Sequence, residues 1–149
     1  MIRVERTNSK SDDFVKLVSE LNAHLKIMDG DEHEFYMQFN NIDVLNNVVV
    51  LYENSNVVAC GALKWYNDEI AELKRMYVKK DARRKGYAGM VLKELEVWSK
   101  ELGYKKCMLE TGKRMSDAVA FYVSNQYVRI PNFGQYKHKG DSICFEKTI

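Results

Sequence analysis

A mixed α/β (α+β) fold is what this sequence predicts. Three observations carry the expectation. Short β-branched and aromatic runs cluster between residues 47 and 78, apolar residues switch to helical spacing from Ala88 onward, and turn-forming residues separate the segments. The 149 residues suit one compact domain with a sizeable core, so a single domain over residues 1–149 is expected. No repeat, linker or low-complexity segment interrupts the order.

Ile2 to Glu5 read as a short first strand. In SKSDDFVKLVSELNAHLKI, Ser11 is placed to cap a helix and Asp12 and Asp13 fall in its first turn, with Phe14, Leu17, Val18, Leu21 and Leu25 at helical spacing behind them. DGDEHEFYMQFN reads as a loop leading into a second, shorter helix. NVVVLYEN and NVVACGALKWYN are strands joined by a tight Asn-Ser-Asn turn, and EIAELKRMYV is the third strand of that meander. Ala88, Val91, Leu92, Leu95, Trp98 and Leu102 mark one face of a long helix, with Gly103 at its stop. KKCMLET is a strand, SDAVAFYVSN a helix starting near Ser116 or Asp117, and YVRIP and SICFEKT the closing strands.

Composition narrows the function classes. Cys60, Cys107 and Cys144 lie far apart in apolar runs, with no CxxC spacing or cysteine–histidine cluster, so neither a metal site nor a disulfide framework is expected. Reduced, buried thiols fit a cytoplasmic protein. The opening MIRVERTNSK lacks the apolar core of a signal peptide, and no apolar run reaches membrane-spanning length, so no membrane partner is expected. The net charge of +2 hides local extremes. Seven cations and one acid lie between Lys74 and Lys85, and four acids between Asp29 and Glu34. A balanced whole with local extremes favours small charged ligands over a nucleic-acid footprint.

RRKGYAG, Arg83 to Gly89, sits between a strand ending near Val78 and a helix beginning near Gly86. A helix start leaves backbone N–H groups unpaired and adds partial positive charge, and glycine lets an anion approach them. A phosphate or pyrophosphate is one partner for this loop, and a solvated basic loop is the other reading. Neither the Walker spacing nor the three-glycine dinucleotide fingerprint is present.

Arg83-x-x-Gly86-x-Ala88 resembles the Gln/Arg-x-x-Gly-x-Gly/Ala signature of the GNAT N-acetyltransferase superfamily. AELKRMYVKKDARRKGYA resembles that family's fourth strand running into its pyrophosphate loop and third helix. LETG resembles the end of its fifth strand, and DAVAFYVSNQY its fourth helix. Together these cover about residues 45 to 130 in the family's order and spacing, and IPNFGQY and SICFEK are similar to the C-terminal ends of many bacterial members. The resemblance implies a central, mostly antiparallel sheet splayed between strands 4 and 5 and flanked by about four helices.

It also implies acetyl-CoA as co-substrate, with no metal. Main-chain N–H groups of Arg84, Lys85, Gly86, Tyr87 and Ala88 would hold the pyrophosphate, with Arg83 framing the loop, and the strand end at Met76, Tyr77 and Val78 would pair with the pantetheine arm. Family members that use a glutamate base carry it where Glu72 stands, and Tyr122 matches the tyrosine near the coenzyme sulfur. The competing readings are that Glu72 pairs with Lys74 or Arg75 on a solvated strand face, and that Tyr122 is an ordinary core aromatic beside Phe121 and Tyr127. Gln126 occupies a position where the family usually has glycine. Asn125 tolerates the left-handed conformation, so the turn is expected to survive.

Family acceptors bind near the first two helices and later strands. Glu32, with Asp29, Asp31 and Glu34, could attract a cationic amine, and Phe35, Tyr36 and Phe133 could wall its pocket; helix N-terminal preference explains the acids equally. The expected activity is therefore transfer of an acetyl group from acetyl-CoA to a primary amine, a small cationic or amino-acid-like acceptor, by direct attack in a ternary complex. Alternatives are a protein lysine or N-terminal acetyltransferase, a non-catalytic coenzyme A-binding module and a nucleic-acid-binding module. A homodimer is possible, since similar proteins frequently form one.

Overall fold

Valine-rich and alanine-rich strands in the middle of the chain are apolar on both faces because helices cover both sides of the sheet they form. The computed structural model describes residues 1–30 and 45–149. Among these residues the strands are β1 (Ile2–Thr7), β2 (Asn47–Glu53), β3 (Asn56–Trp65), β4 (Ile70–Val78), β5 (Lys106–Gly112), β6 (Val128–Ile130) and β7 (Ser142–Thr148). The helices are α1 (Asp12–Asp29), α2 (Tyr87–Glu101) and α3 (Ser116–Ser124). The second, shorter helix expected after Asp29 lies outside the described residues, so three of about four expected helices are seen. Among the described residues no helix is long and apolar enough to cross a membrane.

The strands form one sheet in the order β1-β2-β3-β4-β5-β7-β6, antiparallel throughout except between β4 and β5. On one face α2 places Val91, Leu92 and Leu95 against Val49, Leu63, Leu73, Leu109 and Phe145. On the other, Phe14, Leu17 and Val18 of α1 pack on Val48, Val50, Cys60 and Ala62. Farther along that second face, Phe133 and Tyr136 cover Met108 and Cys144. All three cysteines are free and buried.

Local chemistry sets the element ends. The Ser11 hydroxyl accepts from the Phe14 amide at 3.3 Å and starts α1. Asn54 and Ser55 both take positive φ (52° and 81°), the geometry that a two-residue β2–β3 hairpin turn requires. β1 runs two residues beyond the expected Glu5 because its ladder with β2 continues to Thr7↔Val48. After α3 the left-handed residue is Gln126 (φ 68°), while Asn125 stays at φ −100° and donates its amide Nδ2 to the Phe121 carbonyl at 2.8 Å. The expectation that Asn125 would take the left-handed turn is thus corrected.

The feature that positions the site is the short β4–β5 ladder. Its partners are Ile70↔Lys106, Ala71↔Cys107 and Glu72↔Met108, and the pairing stops there. Beyond it β4 runs on to Val78 and β5 to Gly112 as the two sides of a cleft. The β3–β4 register shifts between Cys60 and Ala62, and Arg75 takes φ 60°. This is a bulge, and a bulged strand bends and re-aims its side chains. Gly61 makes room for it, since a Cβ there would stand 2.4 Å from Met76 Sδ, 2.8 Å from Leu95 Cδ1 and 3.0 Å from Val91 Cγ1.

Replacing Gly61 by Ala is therefore expected to destabilise the protein by about 1–3 kcal/mol through overpacking. Urea denaturation reads it as a lower midpoint with an unchanged slope; an unchanged midpoint would contradict the packing.

Candidate active site

Two adjoining cavities open at the cleft. The larger, about 520 Å³, is lined by Met76, Tyr77 and Val78 of β4, by Arg83, Arg84, Gly86, Tyr87 and Ala88 of the basic loop and α2 start, and by Phe121 and Tyr122 of α3. The smaller, about 150 Å³, lies deeper in the splay and is lined by Glu72 and Lys74 from β4, Glu110 from β5, Met28 and Asp29 from the end of α1, and Arg114 and Asp141. Among the described residues seven line both, including Met28, Met76, Arg114, Met115 and Tyr122.

The loop is held by its own side chains. Arg83 turns back and donates Nε to the Val78 carbonyl at 3.1 Å, with its guanidinium 5.9 Å from the Tyr77 ring centre. Arg84 (φ 65°) and Gly86 (φ 82°) are both left-handed, and Gly86 is the residue before α2. Among the described residues no side chain caps that helix start. Its first-turn N–H groups have no helical acceptors. An added Cβ at Gly86 or Gly89 would meet no atom of the described residues within 4 Å, so among them open space lies beside the amides. These residues fit a bound anion, and the larger cavity gives it an apolar continuation toward the splay.

Of the sequence-predicted coenzyme residues, eight share the larger cavity, and Lys85 does not. Its Nζ lies 3.3 Å from Glu53 Oε2, and the Tyr87 hydroxyl donates to the same carboxylate, so Glu53 at the end of β2 ties down the loop. Phe133 lines neither cavity. It packs edge-on against Tyr66 and Tyr136, with ring centres 5.5 and 5.7 Å away. Glu32, Phe35 and Tyr36, with Asp31 and Glu34, lie outside the described residues.

Glu72 and Lys74 are buried, with side chains 7% and 8% exposed, and Lys74 Nζ stands 3.4 Å from Glu72 Oε2. The predicted pairing with Lys74 is present, but in the interior and not on a solvated face. Glu72 Oε2 has no hydrogen-bond partner among the described residues. Lys74 also donates toward the Tyr136 hydroxyl at 3.4 Å. Burial pulls the Lys74 ammonium below its ordinary pKa, and Glu72 opposes that shift. The Arg75 guanidinium donates to Asn22 Oδ1 of α1 at 2.8 Å.

Glu110 is the residue that sequence reasoning missed. Burial pushes its carboxyl up to about 7, against a hydrogen bond from Ser142 and the charge of Lys74, both of which lower it. The signal was present in LETG, where one carboxylate sits inside an apolar strand. Tyr122 lies within an aromatic cluster, with ring centres 5.1 Å from Phe121 and 5.6 Å from Tyr127, and burial raises its phenol above the ordinary value. A carboxyl that titrates near neutrality and a phenol that keeps its proton stand on the walls of adjoining cavities, the pairing that acid–base chemistry uses.

Residues 14–126 match the acetyltransferase (GNAT) family. An IAA acetyltransferase of Azospirillum brasilense is 24% identical over 152 residues, covering 99% of this chain and 98% of that protein. A Klebsiella pneumoniae structure assigned as an acyl-CoA N-acyltransferase has a TM-score of 0.83 at 22% identity, over 99% of this chain and 97% of that one. A GNAT family acetyltransferase from Elizabethkingia anophelis with acetyl-CoA bound has a TM-score of 0.74 at 17% identity, over 99% and 98%.

Glu110 also makes stability depend on pH. The folded carboxyl keeps its proton up to about 7, whereas the unfolded one releases it near 4.5. The folded state therefore binds more protons within that window, and its stability falls as pH rises through it, by on the order of 3 kcal/mol in total. Urea denaturation at pH 5 and pH 8 should show wild type losing stability relative to Glu110→Gln; parallel behaviour of the two proteins would contradict the assignment.

Proposed function

The chain belongs to the acetyltransferase (GNAT) family, and on that premise we propose that it is an N-acetyltransferase that moves an acetyl group from acetyl-CoA to a primary amine, a small cationic or amino-acid-like one, by direct attack in a ternary complex. The observation that carries this reading is the continuity of the two cavities. A groove that begins at uncapped helix amides ends beside a buried carboxylate, Glu72, and a half-buried one, Glu110, so one end suits a pyrophosphate and the other an amine.

Acetyl-CoA supplies the activated acyl carbon as a thioester. The chain's residues do the rest. Amides from Arg84 to Ala88 hold the pyrophosphate, with the α2 dipole behind them, and Arg83 keeps the loop in shape from the Val78 carbonyl. Met76, Tyr77 and Val78, freed from β5 by the splay, line the path of the pantetheine arm. An alkyl ammonium has a pKa of about 10 and must lose a proton before it can attack. Two carboxylates, Glu72 and Glu110, line the smaller cavity, and that proton passes to this carboxylate pair. Tyr122 keeps its phenolic proton across the working pH range and donates it to the departing thiolate.

The test is thiol release from acetyl-CoA over a panel of primary amines: an aliphatic diamine, a free amino acid, its amide and a lysine peptide. At least one acceptor should turn over, and Tyr122→Phe should lower kcat about 100-fold with little change in KM for acetyl-CoA. Changing Arg83 and Arg84 together to Ala should weaken coenzyme binding with little loss of stability, read by calorimetry beside a thermal melt. Tight coenzyme binding with no turnover of any amine would sink the enzymatic reading.

A further inference from the structure

We propose that Lys74 divides the work between the two carboxylates of the splay: it holds Glu72 as a fixed ion-pair partner and leaves Glu110 as the group that takes the proton from the acceptor amine. The inference rests on the transferase reading and adds to it which carboxylate acts and what selects it.

Strand register places the three residues. The β4–β5 ladder ends at Glu72↔Met108. Side chains two apart on a strand share a face, so Glu72, Lys74, Met108 and Glu110 all belong to the α1 side of the sheet. In the parallel register Lys74 and Glu110 are the first pair on that face beyond the last rung, one on each side of the opening. Lys74 does not reach across to Glu110. It folds back along its own strand to Glu72 Oε2 at 3.4 Å and toward the Tyr136 hydroxyl at 3.4 Å, and among the described residues Glu110 makes no ion pair.

The ion pair sets the two acids apart. A proton placed on Glu72 would leave Lys74 as a buried charge stripped of its partner, which the interior strongly disfavours. Glu110 has no such debt, and burial has already moved its carboxyl to about 7, near the pH at which a general base is most effective. The groups that face Glu110 come from every neighbouring element: Lys74 and Glu72 from β4, Asp29 from the end of α1, Ser142 from β7 and Tyr136 from the turn over the sheet. Arg114 and Asp141 line the same cavity. Lys74 and Ser142 favour the ionised carboxylate, while Asp29 and Glu72 oppose it. Removing the Lys74 charge therefore raises the proton affinity of Glu110.

The step is a proton transfer. One N–H bond of the acceptor ammonium breaks, one O–H bond forms on Glu110, and the electron pair stays on nitrogen for attack. Glu110 later returns the proton to water.

The test compares wild type with Lys74→Met, Lys74→Arg, Glu72→Gln and Glu110→Gln. In protein labelled with ¹³C at glutamate carboxyls, one signal should titrate near 7, vanish in Glu110→Gln, move up by half a unit or more in Lys74→Met and return in Lys74→Arg. With the amine that turns over best, kcat/KM should rise with pH through the same midpoint. That limb should disappear in Glu110→Gln with about a 100-fold loss at pH 8, and persist in Glu72→Gln. An unmoved signal and limb in Lys74→Met, or a limb lost in Glu72→Gln and kept in Glu110→Gln, overturns the division. If Lys74→Met does not fold, the two glutamine variants decide by themselves. Coenzyme binding with no thiol release from any amine overturns the transferase reading instead, and the division with it.

Discussion

The structure turns on a hydrogen-bond ladder that stops early. β4 and β5 share three rungs and part after Glu72↔Met108, although both strands continue. An open seam in a sheet exposes backbone groups that the interior would otherwise pair, and a protein keeps such a seam only where something useful fills it. The bulge at Arg75 bends β4, Gly61 leaves the space that the displaced Met76 needs, and Arg75 is tied to Asn22 of α1. Each contact lies on the β4 side of the seam. The other side is shorter and is covered by α3 and the Phe133–Tyr136 cluster.

Two kinds of electrostatics meet in that seam. At its outer end stand the uncapped amides of α2, with Arg83 and Arg84 on the groove wall, Arg83 anchored on the Val78 carbonyl, and Lys85 held away by Glu53. Backbone dipoles cost nothing to reorganise, and so they suit an anion that must bind and leave. At the inner end the charges are side chains drawn away from water, and burial lowers the proton affinity of Lys74 while it raises that of Glu110. Tyr122 stands where the two regions join. Binding and proton transfer are thus separated along one groove.

Much of this was legible in the sequence, because much of it is local. Helical spacing in α1 and α2, the Ser11 cap, the β2–β3–β4 meander and the basic loop before a helix all depend on neighbours within a few residues, and the eight groove residues named from the loop and strand end share one cavity. What was not legible depends on distant partners. Glu110 is 38 positions from Glu72, and only the parallel register brings both to one cavity. Gly61 looks like any strand glycine until Met76 and Leu95 crowd it. The turn after α3 chose Gln126 because Asn125 was already engaged with the Phe121 carbonyl, a competition between two polar residues that composition does not resolve. Phe133 packs edge-on against Tyr136, whose hydroxyl is the one near Lys74, and that link between distant segments is not visible in the sequence.

The central claim is that a coenzyme lies along the splay with its pyrophosphate on the α2 amides. Titration of ¹⁵N-labelled protein with acetyl-CoA, followed amide by amide, measures this directly. The account predicts the largest shifts at Arg84 to Ala88, with a second group at Met76 to Val78 and smaller ones at α3 around Tyr122. Saturable shifts confined to other surfaces, or none at millimolar coenzyme, would contradict it.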